Sequence, residues 1–356
     1  MKTIIWTIAA GLTLCAAATA PILAQRDSAD RPSPGCIQEI VKLCRPADGE
    51  VRGCIKENFA RLSDDCQSQI KARRTADDQL KAREQKTRAQ AEARAAQRNN
   101  TVKITRTLFF GSHPNQQIDV YAPVDAVDDL PAILFVHGGG WSMGDNKYVQ
   151  AKPAHFTAND YVFASTGYRL LPSTPVEEQA RDVGAAVQAL VGQSNSIGID
   201  PKRIVLMGHS AGAHLAALVA TDPKYAGDAF DAIQGVILLD GAGYDIASHM
   251  ASAGPRSRDL YLRVFGNDPA RQAALSPLTH VGGEDVPNWL ALYVKEREAS
   301  GKQAKALANA LSKAGIEADA LSISGTDHSR LSREMGTPAG LDQTKAVDAF
   351  LAAIFN

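Results

Sequence analysis

The chain predicts two parts of different build: a small disulfide-linked helical module, then a large α/β domain with a mostly parallel sheet covered by helices on both faces. Three observations carry this expectation. Four cysteines crowd between Cys36 and Cys66, and none follows. From residue 101 onward, β-rich runs alternate with helical stretches, as in parallel strands joined by crossover helices. The 356 residues are ample for one sizeable core with something added. A net charge of −1 gives no electrostatic case for nucleic acid or an acidic membrane as partner.

Met1-Lys2-Thr3 opens the chain, and an apolar run follows from Ile4 to Leu23. One lysine, an apolar core and small residues at Ala18-Thr19-Ala20 and Leu23-Ala24 read as a secretory signal peptide over 1–24. Pro21 disfavours cutting after Ala20, so cleavage is expected before Gln25. An uncleaved membrane anchor is the alternative. Leu14 precedes Cys15, which does not make a lipid-attachment site. The expected location is secreted or periplasmic, with no stable membrane insertion after cleavage.

The cysteine-rich module is drawn over 33–68. Cys36, Cys44, Cys54 and Cys66 are an even set in an exported chain, which argues for two disulfides. Ile37, Ile40, Val41 and Leu43 have helical spacing, as do Ile55, Phe59 and Leu62, with Gly49 and Gly53 between them. Two short antiparallel helices would pair outer with outer and inner with inner, Cys36–Cys66 and Cys44–Cys54. Four cysteines allow three connectivities, so the other two remain open. A zinc site is the rival, but no paired short Cys-x₂₋₄-Cys spacing supports one, and no metal is expected. Residues 69–100 are rich in Ala, Gln, Lys, Arg and Glu and read as a solvated helical linker, basic in balance. The lack of an apolar stripe argues against a membrane-surface helix.

The domain over 101–356 should contain strands at Val102–Phe110, Gln117–Tyr121, Ala132–Val136, Tyr161–Ser165, Arg203–Met207, Val236–Asp240, Trp289–Val294 and Ala318–Ser324. Helices are expected at Val176–Gly192 and Gln303–Ala314. Asp182, inside the first, is expected to pair with Arg169 rather than to act chemically.

The sharpest signal is Gly208-His209-Ser210-Ala211-Gly212, set between the strand-like Arg203–Leu206 and the helix-like Leu215–Ala220. Such a turn lifts one serine out on a strained backbone, and the flanking glycines keep side chains off the neighbouring strand and helix. Upstream, the apolar run Ala132–Val136 ends in His137-Gly138-Gly139-Gly140-Trp141. Consecutive glycines after a strand free backbone N–H groups to converge on one point, as an oxyanion hole requires. No Gly-Lys-Ser/Thr follows, which removes a nucleotide-binding reading.

A serine on such a turn is followed along the chain by an acid and then a histidine. Of the eight histidines, His249, His280 and His328 come late enough. His280 precedes its strand. His328 follows the last one through Gly325-Thr326-Asp327, where a base can hang towards Ser210, so His328 is taken as the base. The acid should lie beyond Trp289–Val294, where Lys295-Glu296-Arg297-Glu298 stands without an aspartate. Glu298 is preferred as the residue past the strand tip. Glu296 is second and Asp240, at the end of the preceding strand, third.

His137-Gly138-Gly139-Gly140-Trp141, Tyr168-Arg169-Leu170-Leu171-Pro172, Gly208–Leu215, Ser276-Pro277-Leu278 and Asp327-His328 together resemble an α/β-hydrolase of the carboxylesterase and kynurenine-formamidase-like branch. The resemblance spans about 101–356. It implies oxyanion donors at the backbone of Gly139, Gly140 and Ala211 and an acyl-enzyme on Ser210, with no cofactor. The acid in that branch is usually aspartate, from which Glu298 departs. The cysteine segment resembles a Golgi-type cysteine-rich repeat, which implies a small helical module but no defined activity; the module is a candidate site for a protein partner.

The expected function is that of an exported serine hydrolase of carboxylic esters, acting on a small-molecule or polysaccharide-linked ester. Arylformamide hydrolysis uses the same parts. A rival from another class is an exported binding or assembly protein whose hydrolase domain has weakened. The loops Ser142–Ala158 and Ile246–Pro269 are expected to shape the acyl and alcohol pockets.

Overall fold

The computed structural model describes residues 32–44, 51–75, 79, 102–123 and 129–355. The expected signal peptide over 1–24 and most of the expected linker over 69–100 lie outside the described residues. The described residues form two units, one within Met1–Thr87 and one within Arg88–Asn356.

The first unit is held by the two expected disulfides, Cys36–Cys66 and Cys44–Cys54. Its helices are α1 (Pro34–Leu43), α2 (Val51–Glu57) and α3, over 64–75. Three helical segments therefore replace the expected pair, because the chain breaks after Asn58 and restarts with Cys66 in the first turn of α3. That helix runs across the boundary drawn at 68. Ser33 caps α1 by accepting from Cys36 N, and the two cysteines close on Leu62 as a small buried core. Glu39 accepts from both the backbone N–H and the hydroxyl of Ser63, tying the middle of α1 to the start of α3. Lys71 and Arg74 cover the face of Phe59.

The second unit is an eight-stranded sheet in the order β1-β2-β4-β3-β5-β6-β7-β8. The strands are β1 (Arg106–Phe109), β2 (Gln117–Tyr121), β3 (Leu130–Val136), β4 (Val162–Thr166), β5 (Ile199–His209), β6 (Ile233–Leu239), β7 (Asn288–Val294) and β8 (Glu317–Ile323). β1–β2 and β2–β4 are antiparallel, and every later pairing is parallel. All eight expected strands exist, with ends that move by a few residues.

Period-two alternation divides the core. Ala132, Leu134, Ile204, Leu206, Val236 and Leu238 face one layer, which includes α5 (Val176–Gly192), α7 (Ala211–Thr221) and α12 (Glu298–Lys313). Ile133, Phe135, Val205, Met207, Ile237 and Leu239 face the other, with Phe156 of α4 (Lys152–Thr157) and Val347 and Leu351 of α14 (Leu341–Phe355). Strands buried on both faces read as unbroken apolar runs, which is why β3 and β6 were plain in the sequence. Asp182, almost fully buried on α5, takes a bidentate bond from the Arg169 guanidinium and further bonds from the Arg169 backbone N–H and Gln116 Nε2, as its expected structural role requires.

Candidate active site

Ser210 stands between β5 and α7 with φ 55° and ψ −117°, a conformation few L-residues adopt. It is held there because its N–H donates to Leu239 O of the neighbouring β6 at 3.0 Å. A side chain at Gly212 would collide with the carbonyl oxygens of Val136 and His137, so the helix can pack on β3 only with glycine there.

His328 opens α13 (His328–Arg333), whose N-cap Asp327 accepts from the N–H groups of Ser329 and Arg330. Its Nε2 lies 2.9 Å from Ser210 Oγ, and its Nδ1 lies 2.7 Å from Oδ2 of Asp240. An ionised carboxylate only accepts, so Nδ1 carries the proton and Nε2 presents its lone pair to the serine hydroxyl.

Asp240, and not Glu298, is therefore the carboxylate on His328. Leu239 ends β6 beside β5, and Asp240 continues the pairing through N–H to Leu292 O at 2.7 Å. A positive φ of 47° at Asp240 then turns the chain. Acid and nucleophile thus sit at the tips of adjacent strands. Glu298 is instead the first residue of α12, exposed, and Glu296 is exposed beside it. The helix starts five residues earlier than the expected Gln303, which draws Glu298 out of the loop. An acidic side chain in a first helical turn is stabilised by the helix dipole without any further partner.

Asp240 is 1% exposed. Its Oδ1 accepts from Ser300 Oγ at 2.5 Å and from Val294 N at 3.2 Å. Arg297 Nε lies 3.2 Å from Oδ2. Burial pushes the carboxyl up, but the bonds from His328 and Ser300 and the Arg297 charge outweigh it and hold the group below its usual value. Ser300 and Arg297 gave no sequence signal, since their role exists only once β7 lies beside β6.

The glycine loop folds against the serine. A Cβ at Gly138 would stand 2.9 Å from His209 O and 3.1 Å from Ser210 Cβ. Gly139 and Gly140 take φ of 130° and 59°. No described residue accepts from the backbone N–H of either, and Ala211, first in α7, has an N–H outside the helix's own bonding. His137 is used structurally: its ring stacks on Tyr168, centroids 4.4 Å apart, and its carbonyl accepts from the Tyr168 hydroxyl. Trp141 packs edge-on against Tyr261 and Phe265, and its indole N–H meets His214 Nδ1 at 3.4 Å. His214 Nε2 donates to Leu275 O at 2.8 Å, and burial pushes this imidazole down to about 4. His209 donates to His328 O at 2.8 Å and is held neutral, about 4, by burial and by His328. Tyr168 lies in the Tyr168–Pro172 motif already noted. The packing of His209 on His328 had no signal beyond its place beside the serine.

The chain matches the BD-FAE family over residues 118–311. It is 25% identical over 261 residues to a probable isoprenylcysteine alpha-carbonyl methylesterase of Arabidopsis thaliana, covering 67% of this chain and 54% of that protein. It is 26% identical over 232 residues to a kynurenine formamidase of Danio rerio, covering 63% and 75%. The chain thus spans about half the length of the plant relative. Among solved structures, esterase 2 of Thermogutta terrifontis, phosphonylated by sarin, superposes with a TM-score of 0.61 at 21% identity, covering 71% of this chain and 96% of that one. With more than half of its 356 residues matched by that family, and with the sheet order and helical layers of an α/β-hydrolase, the chain belongs to the BD-FAE family.

Proposed function

We propose that the chain is an exported serine hydrolase of carboxylic esters. The observation that carries this is the unbroken relay from Ser210 Oγ to His328 Nε2 at 2.9 Å and from His328 Nδ1 to Asp240 at 2.7 Å. In the first step, Ser210 Oγ attacks the ester carbonyl while His328 takes its proton. The carbonyl oxygen becomes an oxyanion, which the N–H groups of Gly139, Gly140 and Ala211 stabilise. The imidazolium, balanced by Asp240, then gives its proton to the leaving alcohol. Water repeats the sequence on the acyl-enzyme and releases the acid. The intact relay argues against a binding protein with a weakened site. Formamide hydrolysis uses the same atoms, and the likeness to a kynurenine formamidase supports it as the second substrate class. Export is read from the leader over 1–24 and the four paired cysteines.

Hydrolysis of p-nitrophenyl acetate, butyrate and octanoate, beside N-formylkynurenine, tests the reading. Turnover of an ester that vanishes in Ser210→Ala is expected. Turnover unchanged in Ser210→Ala would overturn the mechanism.

A further inference from the structure

Among the described residues, Arg297 is the cation that lies within ion-pair distance of Asp240 and has no part in the mechanism. Its side chain is 42% exposed, and its Nε lies 3.2 Å from the same Oδ2 that receives His328. No hydrogen bond joins its guanidinium to a described residue, and Asp240 is the only described carboxylate within ion-pair distance. Glu296 and Glu298, its exposed neighbours, do not pair with it. A planar fork of donors therefore faces solvent beside the relay, a geometry matched to a carboxylate. Behind it, His249 is 6% exposed with Nδ1 unpartnered among the described residues, and its ring lies 4.3 Å from that of Tyr261. Tyr261 in turn packs on Trp141 of the glycine loop. Burial and the Arg297 charge keep His249 low, so Arg297 is the cation of this wall.

We propose that Arg297 recognises a carboxylate on the leaving-group side of the site, so that favoured substrates are esters whose alcohol or phenol carries that anion. The inference rests on the serine-hydrolase reading. The leaving oxygen departs beside His328 Nε2, which must hand it a proton; Arg297 meets Asp240 at the Nδ1 edge of the same ring, and its charge bears on Tyr261, which packs on Trp141 of the glycine loop. Charge balance points the same way. Once His328 is an imidazolium, it and Arg297 are two cations on one carboxylate. A substrate carboxylate on Arg297 supplies the second negative charge when the transition state needs it.

The test compares kcat/KM for 3- and 4-acetoxybenzoate with that for 3- and 4-acetoxybenzamide, each normalised to its alkaline hydrolysis rate. The full chain should favour the carboxylates by about tenfold or more, the scale of one charge-assisted contact. Raising NaCl to about 1 M should pull that ratio down. In Arg297→Gln the ratio should fall to about one, whatever happens to the absolute rates, and Arg297→Lys should keep part of it. The ratio within each variant cancels any effect on Asp240. A wild-type ratio of one or less with both amides hydrolysed, or a ratio that survives in Arg297→Gln, overturns the proposal and leaves the hydrolase reading standing. If neither class is hydrolysed while a p-nitrophenyl ester is, this inference falls and the hydrolase reading stands; if none of these substrates, N-formylkynurenine included, is hydrolysed, both fall. Should Arg297→Gln fail to fold, the wild-type ratio with its salt response and Arg297→Lys decide.

Discussion

Replacing Asp240 by asparagine separates the relay found in the structure from the glutamate that the sequence favoured. Oδ1 receives the Val294 N–H, which can only donate, and the Ser300 hydroxyl. An asparagine must therefore place its amide oxygen there. Its NH₂ then faces His328 Nδ1, where the carboxylate Oδ2 stood at 2.7 Å. Facing a donor, Nδ1 must accept, so the proton moves to Nε2 and points at Ser210. In that tautomer His328 cannot take the serine proton. The same exchange in a well-studied serine protease costs about 10⁴ in turnover, or about 5–6 kcal/mol of barrier at about 1.4 kcal/mol per decade. A fall in kcat of that order with little change in KM is expected for p-nitrophenyl butyrate. Glu298→Gln and Glu296→Gln, both exposed, should stay within about twofold, since exposed charges contribute little. An Asp240→Asn enzyme at wild-type kcat, or a crippled Glu298→Gln, would refute the assignment.

Ser210→Ala should lose turnover and labelling by a fluorophosphonate while melting near the wild-type temperature; retained labelling would place the nucleophile elsewhere. His214, held down to about 4 by burial, is neutral in the fold but protonates in the unfolded chain below about 6.5. Its stabilising effect is therefore full above that value and is lost as pH falls towards 4. His214→Leu should remove about one proton from the slope of stability against pH in that window, read by urea unfolding, and should cost about 1–3 kcal/mol at neutral pH for the unpaired Leu275 carbonyl. For the cysteines, peptide mapping without reduction should recover the Cys36–Cys66 and Cys44–Cys54 links. On loop-closure grounds, Cys36→Ser with Cys66→Ser should cost about 3–4 kcal/mol of the module's stability and the inner pair about 2–3. Removing residues 25–99 should leave ester hydrolysis in place; a folded but inactive truncation would show that the module contributes to the chemistry.

By itself the sequence determined the strands, the serine turn, the glycine loop and His328. Each is written locally: apolar runs buried on both faces, glycines where backbone crowds backbone, and a histidine after the last strand. Helical spacing favoured the outer and inner cysteine pairs that the structure shows, but left the other two connectivities open. Asp240 was the exception. It sits one residue past β6, and nothing nearby marks it as different from any other aspartate at a strand end. Only the order β5-β6-β7 places that strand tip beside Ser210, and only the positive φ at Asp240 aims the carboxylate at His328. Glu298 lay at the expected distance along the chain, but α12 began early and turned it to solvent. Ser300 and Arg297, which bring Asp240 a hydroxyl and a cation, lie about sixty residues beyond it in the chain and meet it only in the folded sheet. A partner chosen by strand order carries no periodicity of its own, so tertiary structure alone decided which carboxylate the relay ends on.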